Sequence, residues 1–443
     1  MTAFFKTIIS TIVLGIINTL SFSMVQLPPI PSTSSFQVLV PIENIMGSNI
    51  EPLFNLFPVS DGLTVYEQDK KRVEQYEGQH KQINADLNAE RINYDLPGNV
   101  NIESTKYYKQ AYNKLMELDD SDFSIEKATF IIENAYFEGK NDYEEFNAIV
   151  NQTGDFLKEK MDELGYDKES NLAKNFMLFQ FFSDTLEIKS KDLKHLPLEY
   201  DFEDYMGIND WSKMFVSKLL ESGKGQCNSL PRLYLILAEE IRAEAFLSLS
   251  PNHSYIKFRD DDNNWFNVEL TNGMFTTDSS ILQSGFIKSE ALQNEIYMQT
   301  MESKELFSQL LVDFAQGYAR KFGYDPFVKE VVDNALKVYP NNINAHMLRS
   351  NYLTIEFEYV ANQIGINPKN QEELQNIRFF PEAVNLLTKV NAQYDEIDNL
   401  GFEFMSPEAY QKWLGSLQEH KQQQDDQEMK EQFNLKLQQS IKN

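Results

Sequence analysis

Residues 223–242 read GKGQCNSLPRLYLILAEEIR, a glycine-containing break followed by a helix predicted over about 228–242. The helix carries one apolar stripe at helical spacing, made of Leu230, Leu233, Leu237 and Ile241. Pro231 falls in its first turn, where the missing N–H is tolerated. Cys227, the only cysteine of the chain, stands just before the helix. The helix dipole and free N–H groups there favour a thiolate, so the stretch predicts a nucleophile.

A lone cysteine also has a simpler interpretation, because buried cysteine commonly serves as a small apolar side chain. One cysteine excludes an internal disulfide. The residues that follow Cys227 therefore decide between burial and chemistry.

Three β-strands are predicted after this helix, over 245–249, 254–259 and 265–271. Asp260–Asn264 forms the turn between the last two. His253 opens the second strand, and Glu269 lies on the corresponding polar face of the third. If these strands pair antiparallel, Glu269 can orient the imidazole of His253, which in turn activates Cys227. Each residue taken singly has a structural interpretation, but one geometry accounts for all three.

Two further residues are candidates for supporting roles. Asp278 lies beyond the third strand and is the alternative acid. An oxyanion site needs the backbone N–H of Cys227 and one side-chain donor, for which Gln226 is a candidate by adjacency.

The rest of the chain is mainly helical by the spacing of its apolar residues. Helical periodicity runs from about Ser104 to Leu219 and returns beyond Glu290. Successive amphipathic helices are predicted over 306–322, 327–339 and 343–364. Residues 335–342 (ALKVYPNN) are similar to the junction between two tetratricopeptide helix pairs.

The charge balance argues against several partners and cofactors. The formal net charge is −27, from 67 acidic and 40 basic residues. Nucleic acids and anionic lipids require clustered lysine and arginine, so we expect neither as a partner. The five histidines are scattered and no phosphate-cradling glycine loop is present, so neither a metal nor a cofactor is predicted.

The N-terminus has the layout of a secretory signal peptide. Lys6 precedes an apolar run from Thr7 to Phe22, with Ser21 and Ser23 at the −3 and −1 positions of a cleavage site. This predicts an exported protein that is periplasmic, cell-surface or extracellular. The alternative is an uncleaved anchor, which is the only membrane contact that we expect.

Two groups of residues carry a resemblance to a known family. Gly225-Gln-Cys227-Asn-Ser, leading into Leu233-Tyr-Leu-Ile-Leu-Ala-Glu-Glu, resembles the nucleophile helix of the transglutaminase-like superfamily. Asn252-His253-Ser-Tyr-Ile and Trp265-Phe-Asn-Val-Glu269 resemble its histidine and acid strands. The variant it resembles is the bacterial branch that joins such a core to tetratricopeptide-like helices.

The resemblance implies an α+β fold with a papain-like core, in which a helical lobe packs on an antiparallel sheet, followed by a helical repeat-like region. It implies a catalytic triad of Cys227, His253 and Glu269, acting on a protein or peptide substrate without a cofactor. The family's acid is usually aspartate, whereas this chain has Glu269. Asn228 stands where crosslinking transglutaminases carry tryptophan, which favours a protease-like or amidase-like relative.

The expected organisation has five parts: a signal peptide (1–23), a linker and N-terminal extension (24–103), a transglutaminase-like domain (104–290), a helical repeat-like domain (291–416) and a polar tail (417–443). The expected function is cysteine-dependent acyl transfer, either amide hydrolysis or transamidation. The alternative is a catalytically inactive scaffold that binds a protein partner through its C-terminal helices.

Overall fold

The described chain combines helices with small, mostly antiparallel sheets, so the predicted α+β class is confirmed. The structure is a computed structural model that describes residues 71, 73–81, 92–283 and 285–421. The predicted signal peptide lies outside these residues, as do most of the linker and most of the polar tail. Among the helices described, none is long and apolar enough to cross a membrane.

The first half of the described chain contains α1 (Thr105–Met116), α2 (Ile125–Tyr136), α3 (Tyr143–Leu164), α4 (Asn171–Ser183), β1 (Leu186–Ile188), β2 (Leu193–His195), β3 (Glu199–Tyr200), α5 (Val216–Ser222), β4 (Lys224–Gly225) and α6 (Ser229–Ile241). The sheet follows, with β5 (Phe246–Ser250), β6 (His253–Arg259), β7 (Trp265–Glu269) and β8 (Met274–Thr276). The remainder contains α7 (Asp278–Gln283), α8 (Ser289–Gln293), α9 (Ser303–Phe322), α10 (Pro326–Val338), α11 (Ile343–Gln363), α12 (Gln371–Leu374) and α13 (Pro381–Asn399). A C-terminal helix begins at residue 407 and continues to residue 421.

Polar caps begin several of the long helices. In five of them, a side chain just before the helix accepts a hydrogen bond from an N–H group of the first turn. The capping residues of α2, α3, α4, α10 and α11 are, in that order, Ser124, Asp142, Ser170, Asp325 and Asn342. These contacts satisfy backbone donors that have no partner within the helix. The helix starts are therefore fixed by local sequence.

Helix α6 is the central element of the larger hydrophobic core. Residues 229–238 are all buried, and the helix packs against α3, α4 and the strands β5 and β6. A helix buried on every side needs apolar residues beyond a single stripe, and Leu235 and Ile236 provide them. The predicted stripe thus describes one face of a helix that is enclosed on every side over residues 229–238.

The four-stranded sheet has the order β5-β6-β7-β8, with each neighbouring pair antiparallel. In the β6–β7 register, Ile256 faces Val268 and Lys257 faces Asn267. Side chains alternate between faces along a strand, so His253 and Glu269 share one face of the sheet. Continuing the register places them as diagonal neighbours.

The polar face of this sheet is buried. Taken as whole residues, His253 and Glu269 are 5% and 6% exposed, although a glutamate on a strand is more often solvated. Lys257 Nζ donates to the carbonyl of Met298 at 2.9 Å, and the Trp413 ring contacts His253 in an edge-to-face arrangement. Two later segments of the chain therefore cover the polar face.

The helices after residue 300 form a second layer in which neighbours along the chain pack on each other. The observed bounds of α9, α10 and α11 differ from the predicted ones by three residues or fewer. Helices α1 and α2 join α9 and α10 in one hydrophobic cluster. Residues 105–136 therefore pack on the helical layer.

Both ends of the described chain are attached to other elements. Leu96 packs in a cluster with Tyr352 and Phe357, and the Asn99 N–H donates to Asp325 Oδ2 at 2.9 Å. After α13, residues 400–414 return to the core that contains α6 and the sheet. The chain therefore passes from the helical layer back to the region around Cys227.

Candidate active site

Cys227 lies between β4 and α6, and its side chain is partly exposed. Its carbonyl accepts a hydrogen bond from Ser254 Oγ, and the N–H of Gln226 donates to Ser229 Oγ at 2.8 Å. A Cβ at Gly225 would come within 2.7 Å of Ser229 Oγ, so only glycine permits this close approach. The backbone on each side of the thiol is held by these contacts.

His253 and Glu269 form a buried pair beside the cysteine. His253 Nε2 lies 2.8 Å from Glu269 Oε2, and the other carboxylate oxygen accepts the Thr271 N–H at 2.9 Å. The two side chains are only 1% and 7% exposed. His253 Nδ1 is buried and has no hydrogen-bond partner of good geometry in the part of the chain that is described. The acid thus holds one ring nitrogen and leaves the other free to act.

The electrostatics of the pair favour charge separation. Burial alone would lower the pKa of His253, but the Glu269 carboxylate and the neighbouring Cys227 raise it above 6.5. For Glu269, burial acts in the opposite direction and would raise the pKa. The charge of His253 and the hydrogen bonds from His253 and Thr271 outweigh burial and bring the pKa of Glu269 below 4.5. An imidazolium beside a carboxylate is therefore the favoured state at neutral pH.

Aromatic side chains from outside the predicted triad complete the surroundings. The Tyr410 hydroxyl donates to Cys227 Sγ at 4.0 Å, and the Trp413 ring meets His253 with a centroid separation of 4.8 Å. Tyr200 is placed near the thiol because β3 pairs in parallel with β4, just before Cys227. Sequence reasoning missed all three. The spacing of Tyr410 and Trp413, three residues apart at the start of a mostly polar segment, was the available signal.

The two supporting residues suggested by the sequence have other partners. The side-chain amide of Gln226 donates to the carbonyls of Asp201 and Asp204, at 3.3 and 2.7 Å. Asp278 is 60% exposed and accepts from Asn267 at 2.8 Å. Each side chain is therefore bonded away from its suggested role, and Glu269 is the acid that contacts His253.

A second polar cluster lies on the other side of α6. Arg232 Nη2 donates to Asp313 Oδ2 at 2.7 Å, and both side chains are largely buried. Glu133 accepts the N–H groups of Val216 and Ser217 at 2.6 and 2.8 Å, and burial raises its pKa to about 7. These residues line a cavity of about 20 Å³, which has room for about one water molecule. This cluster ties α6 to the helical layer.

Among the residues that the structure describes, no group of three or more histidine, cysteine or acidic side chains is arranged to hold a metal ion. Cys227, His253 and Glu269 have the chemical types of a nucleophile, a base and an orienting acid, the set that nucleophilic acyl chemistry uses. Comparison of the chain with protein-family models, with curated proteins and with solved structures finds no match.

Proposed function

We propose that this protein is an exported, transglutaminase-like enzyme that transfers acyl groups through Cys227 and acts on the amide bonds of a protein or peptide. The observation that carries the proposal is the convergence of three side chains from three elements. A thiol at the start of α6 lies close enough to a buried histidine on β6 to raise its pKa, and Nε2 of that histidine is 2.8 Å from a carboxylate on β7. Nucleophile, base and orienting acid are the three parts that such chemistry requires.

The proposed reaction begins with the Cys227 thiolate and the protonated His253. Sulfur attacks the amide carbonyl carbon, forming an S–C bond and moving the carbonyl electrons onto oxygen. The C–N bond then breaks, and His253 gives its proton to the departing amine. Water or a second amine, deprotonated by His253, attacks the resulting thioester; the S–C bond breaks, the acyl product leaves, and the thiolate and the protonated His253 are restored. Glu269 keeps the ring oriented and stabilises its positive charge throughout.

The papain-like arrangement is part of the same proposal. It is supported by the packing of α6, which follows the cysteine, on β5 and β6 of an antiparallel sheet that carries the histidine and the acid. Export rests on the sequence of residues 1–23, which lie outside the described residues. A protein partner at the C-terminal helices is proposed from the packing of consecutive helices in one layer.

A second candidate function is a catalytically inactive scaffold. The observation that favours it is the cover over the site, since the His253 side chain is only 1% exposed and the ring of Trp413 lies against it. In that case Cys227 would have a structural role, and the helical layer would supply the binding surface.

Alkylation by iodoacetamide distinguishes the two, and because the chain has one cysteine, every label reports on Cys227. We expect the folded protein to react at pH 7 about tenfold faster than a short cysteine peptide, since the positive charge of the neighbouring imidazolium stabilises the attacking sulfur. His253→Ala should remove this enhancement. His346→Ala is the matched control, because His346 is also buried but bonds to the carbonyl of Pro340.

A rate no greater than that of the peptide, unchanged by His253→Ala, would contradict the enzyme proposal and favour the scaffold. The Cys227→Ala variant has no cysteine, so the labelling that it shows measures the background of the assay.

A further inference from the structure

Two buried tyrosine hydroxyls face the thiol from opposite parts of the chain. Tyr410, on the C-terminal helix, is 1% exposed, and its Oη lies 4.0 Å from Cys227 Sγ. Tyr200, on β3, is 7% exposed, and its hydroxyl has no hydrogen-bond partner of good geometry within the described chain. It nevertheless lies close enough to the Tyr410 hydroxyl and to Cys227 to interact with both, so two buried hydroxyls are grouped at a reactive atom. Such a grouping of buried polar groups needs an explanation.

Both hydroxyls are hydrogen-bond donors at neutral pH. Burial raises the pKa of each tyrosine well above 10, and the charge of Cys227 raises it further. Each phenol therefore keeps its proton and can offer it to a negative oxygen without giving it up.

Acyl transfer at Cys227 needs such donors. When sulfur adds to a carbonyl carbon, charge develops on an oxygen that is bonded to that carbon, and donors must lie about 2.7–3.1 Å from that oxygen. The oxyanion lies two bonds from the sulfur, so a donor about 4 Å from the sulfur can be within hydrogen-bond distance of that oxygen. The side chain expected to do so, Gln226, has its amide committed to the carbonyls of Asp201 and Asp204.

We propose that the hydroxyls of Tyr410 and Tyr200 form the oxyanion-binding site of this enzyme. The inference rests on the proposed function. As the S–C bond forms, the carbonyl electrons move to oxygen, and the two O–H groups donate to it. No proton is transferred to that oxygen. When the C–N bond breaks, the carbonyl re-forms and the hydroxyls are released. The C-terminal helix is thereby part of the active site.

The test compares two reactions of the same thiol. Acylation by 4-nitrophenyl acetate passes through an oxyanion, and the release of nitrophenolate reports the rate of the first turnover. Alkylation by iodoacetamide displaces iodide and develops no oxyanion. Each rate is measured on the full chain at the plateau of its pH profile, and Cys227→Ala supplies the background.

We expect Tyr410→Phe to slow acylation roughly 10²-fold and Tyr200→Phe to slow it roughly tenfold, because Tyr410 has the direct contact with sulfur. Alkylation should stay within about twofold of the original rate in both variants. Tyr234→Phe is the matched control, since Tyr234 is a fully buried tyrosine of the same core that bonds to Asn175. Thermal unfolding checks that each variant is folded.

Two results would overturn the inference. Acylation unchanged in the double variant Tyr200→Phe/Tyr410→Phe would leave the hydroxyls without a role in the transition state. Acylation and alkylation both rising in Tyr410→Phe would mean that this hydroxyl restrains the thiol. If Cys227 is unreactive in the parent protein, the proposed function itself fails, and the iodoacetamide rate of the parent identifies that case.

Discussion

Two buried ion pairs flank the start of α6, and they differ in what burial does to their carboxylates. On the sheet side, Glu269 holds His253 at 2.8 Å. On the helical side, Asp313 holds Arg232 at 2.7 Å. Burial raises the pKa of Asp313 above 3.8 despite Arg232 and its other side-chain partners, whereas His253 and Thr271 bring the pKa of Glu269 below 4.5.

At Glu269 the charge and hydrogen bond of His253 are the largest effects that oppose burial, whereas at Asp313 burial outweighs the charge of Arg232. The two carboxylates also differ in their donors. Glu269 receives a backbone N–H from Thr271 in addition to the imidazole, whereas Asp313 receives only side chains. A backbone donor is fixed by the fold, so it favours the ionised carboxylate without the entropy cost of ordering a side chain. The sheet-side pair is thus suited to holding charge next to a reactive thiol, and the helical-side pair to joining two layers.

The largest expected effect is that of Glu269→Gln. Loss of the carboxylate leaves the ring of His253 unanchored and removes the charge that raises its pKa, so acylation of Cys227 should slow by on the order of 10²- to 10⁴-fold. The alkaline limit of the pH–rate profile should move to lower pH, because His253 loses its proton earlier. Glu269→Asp keeps the negative charge, so its acylation rate should lie between those of the original protein and of Glu269→Gln. A profile with the same alkaline limit in Glu269→Gln would show that the pair does not tune the base.

Asp313→Ala should act mainly on stability. It leaves the buried Arg232 guanidinium without its hydrogen-bonded carboxylate and with Glu133 as the remaining nearby acid, so the free energy of unfolding should drop by up to about 3–5 kcal/mol, measured by urea denaturation. The double variant Arg232→Met/Asp313→Leu should recover most of that loss, because neither charge remains to be buried. Alkylation of Cys227 should stay within about threefold of the original rate. A large loss of reactivity with little loss of stability would mean that the helical-side pair also serves the chemistry.

The smallest expected effect concerns Glu133 and its pH dependence. Its pKa in the folded protein is about 7, above the ordinary 4.5, so the folded state binds the extra proton. By linkage, the stability relative to Glu133→Gln should decrease as pH rises from about 4.5 to 7, by about 1–3 kcal/mol, and level off above that. Urea denaturation at pH 5, 6, 7 and 8 measures the difference. A difference that does not change with pH would mean that the N–H groups of Val216 and Ser217 keep the carboxylate ionised.

Much of the fold around the site could be predicted from patterns among residues that are near each other in the sequence. The alternation of β6 and β7, separated by the short turn at Asp260–Asn264, was enough to place His253 and Glu269 on one face. The apolar spacing after Cys227 was enough to place the thiol at a helix start. Helix bounds beyond residue 300 followed from apolar periodicity, and the structure adds that Asn342 caps the start of α11. Each of these depends on residues that are close in sequence.

What could not be predicted depends on residues far apart in the chain. The hydroxyl of Tyr410 contacts a sulfur 183 positions earlier, and the amide of Gln226 is taken up by a loop 22 to 25 residues before it. The burial of the polar sheet face depends on Trp413 and on residues near Met298. No periodicity within one segment indicates which distant segment will cover it.

The return of residues 400–414 to the core has a consequence for the order of assembly. His253 and Glu269 are 16 residues apart and joined by a tight hairpin, so their pair closes a short loop at a low entropic cost. Tyr410 must close a loop of 183 residues, and it lies near the end of the described chain. Long-range contacts of this kind form slowly. A ribosome-bound or refolding chain is therefore expected to pass through a stage in which the histidine–glutamate pair is formed while the thiol is still uncovered.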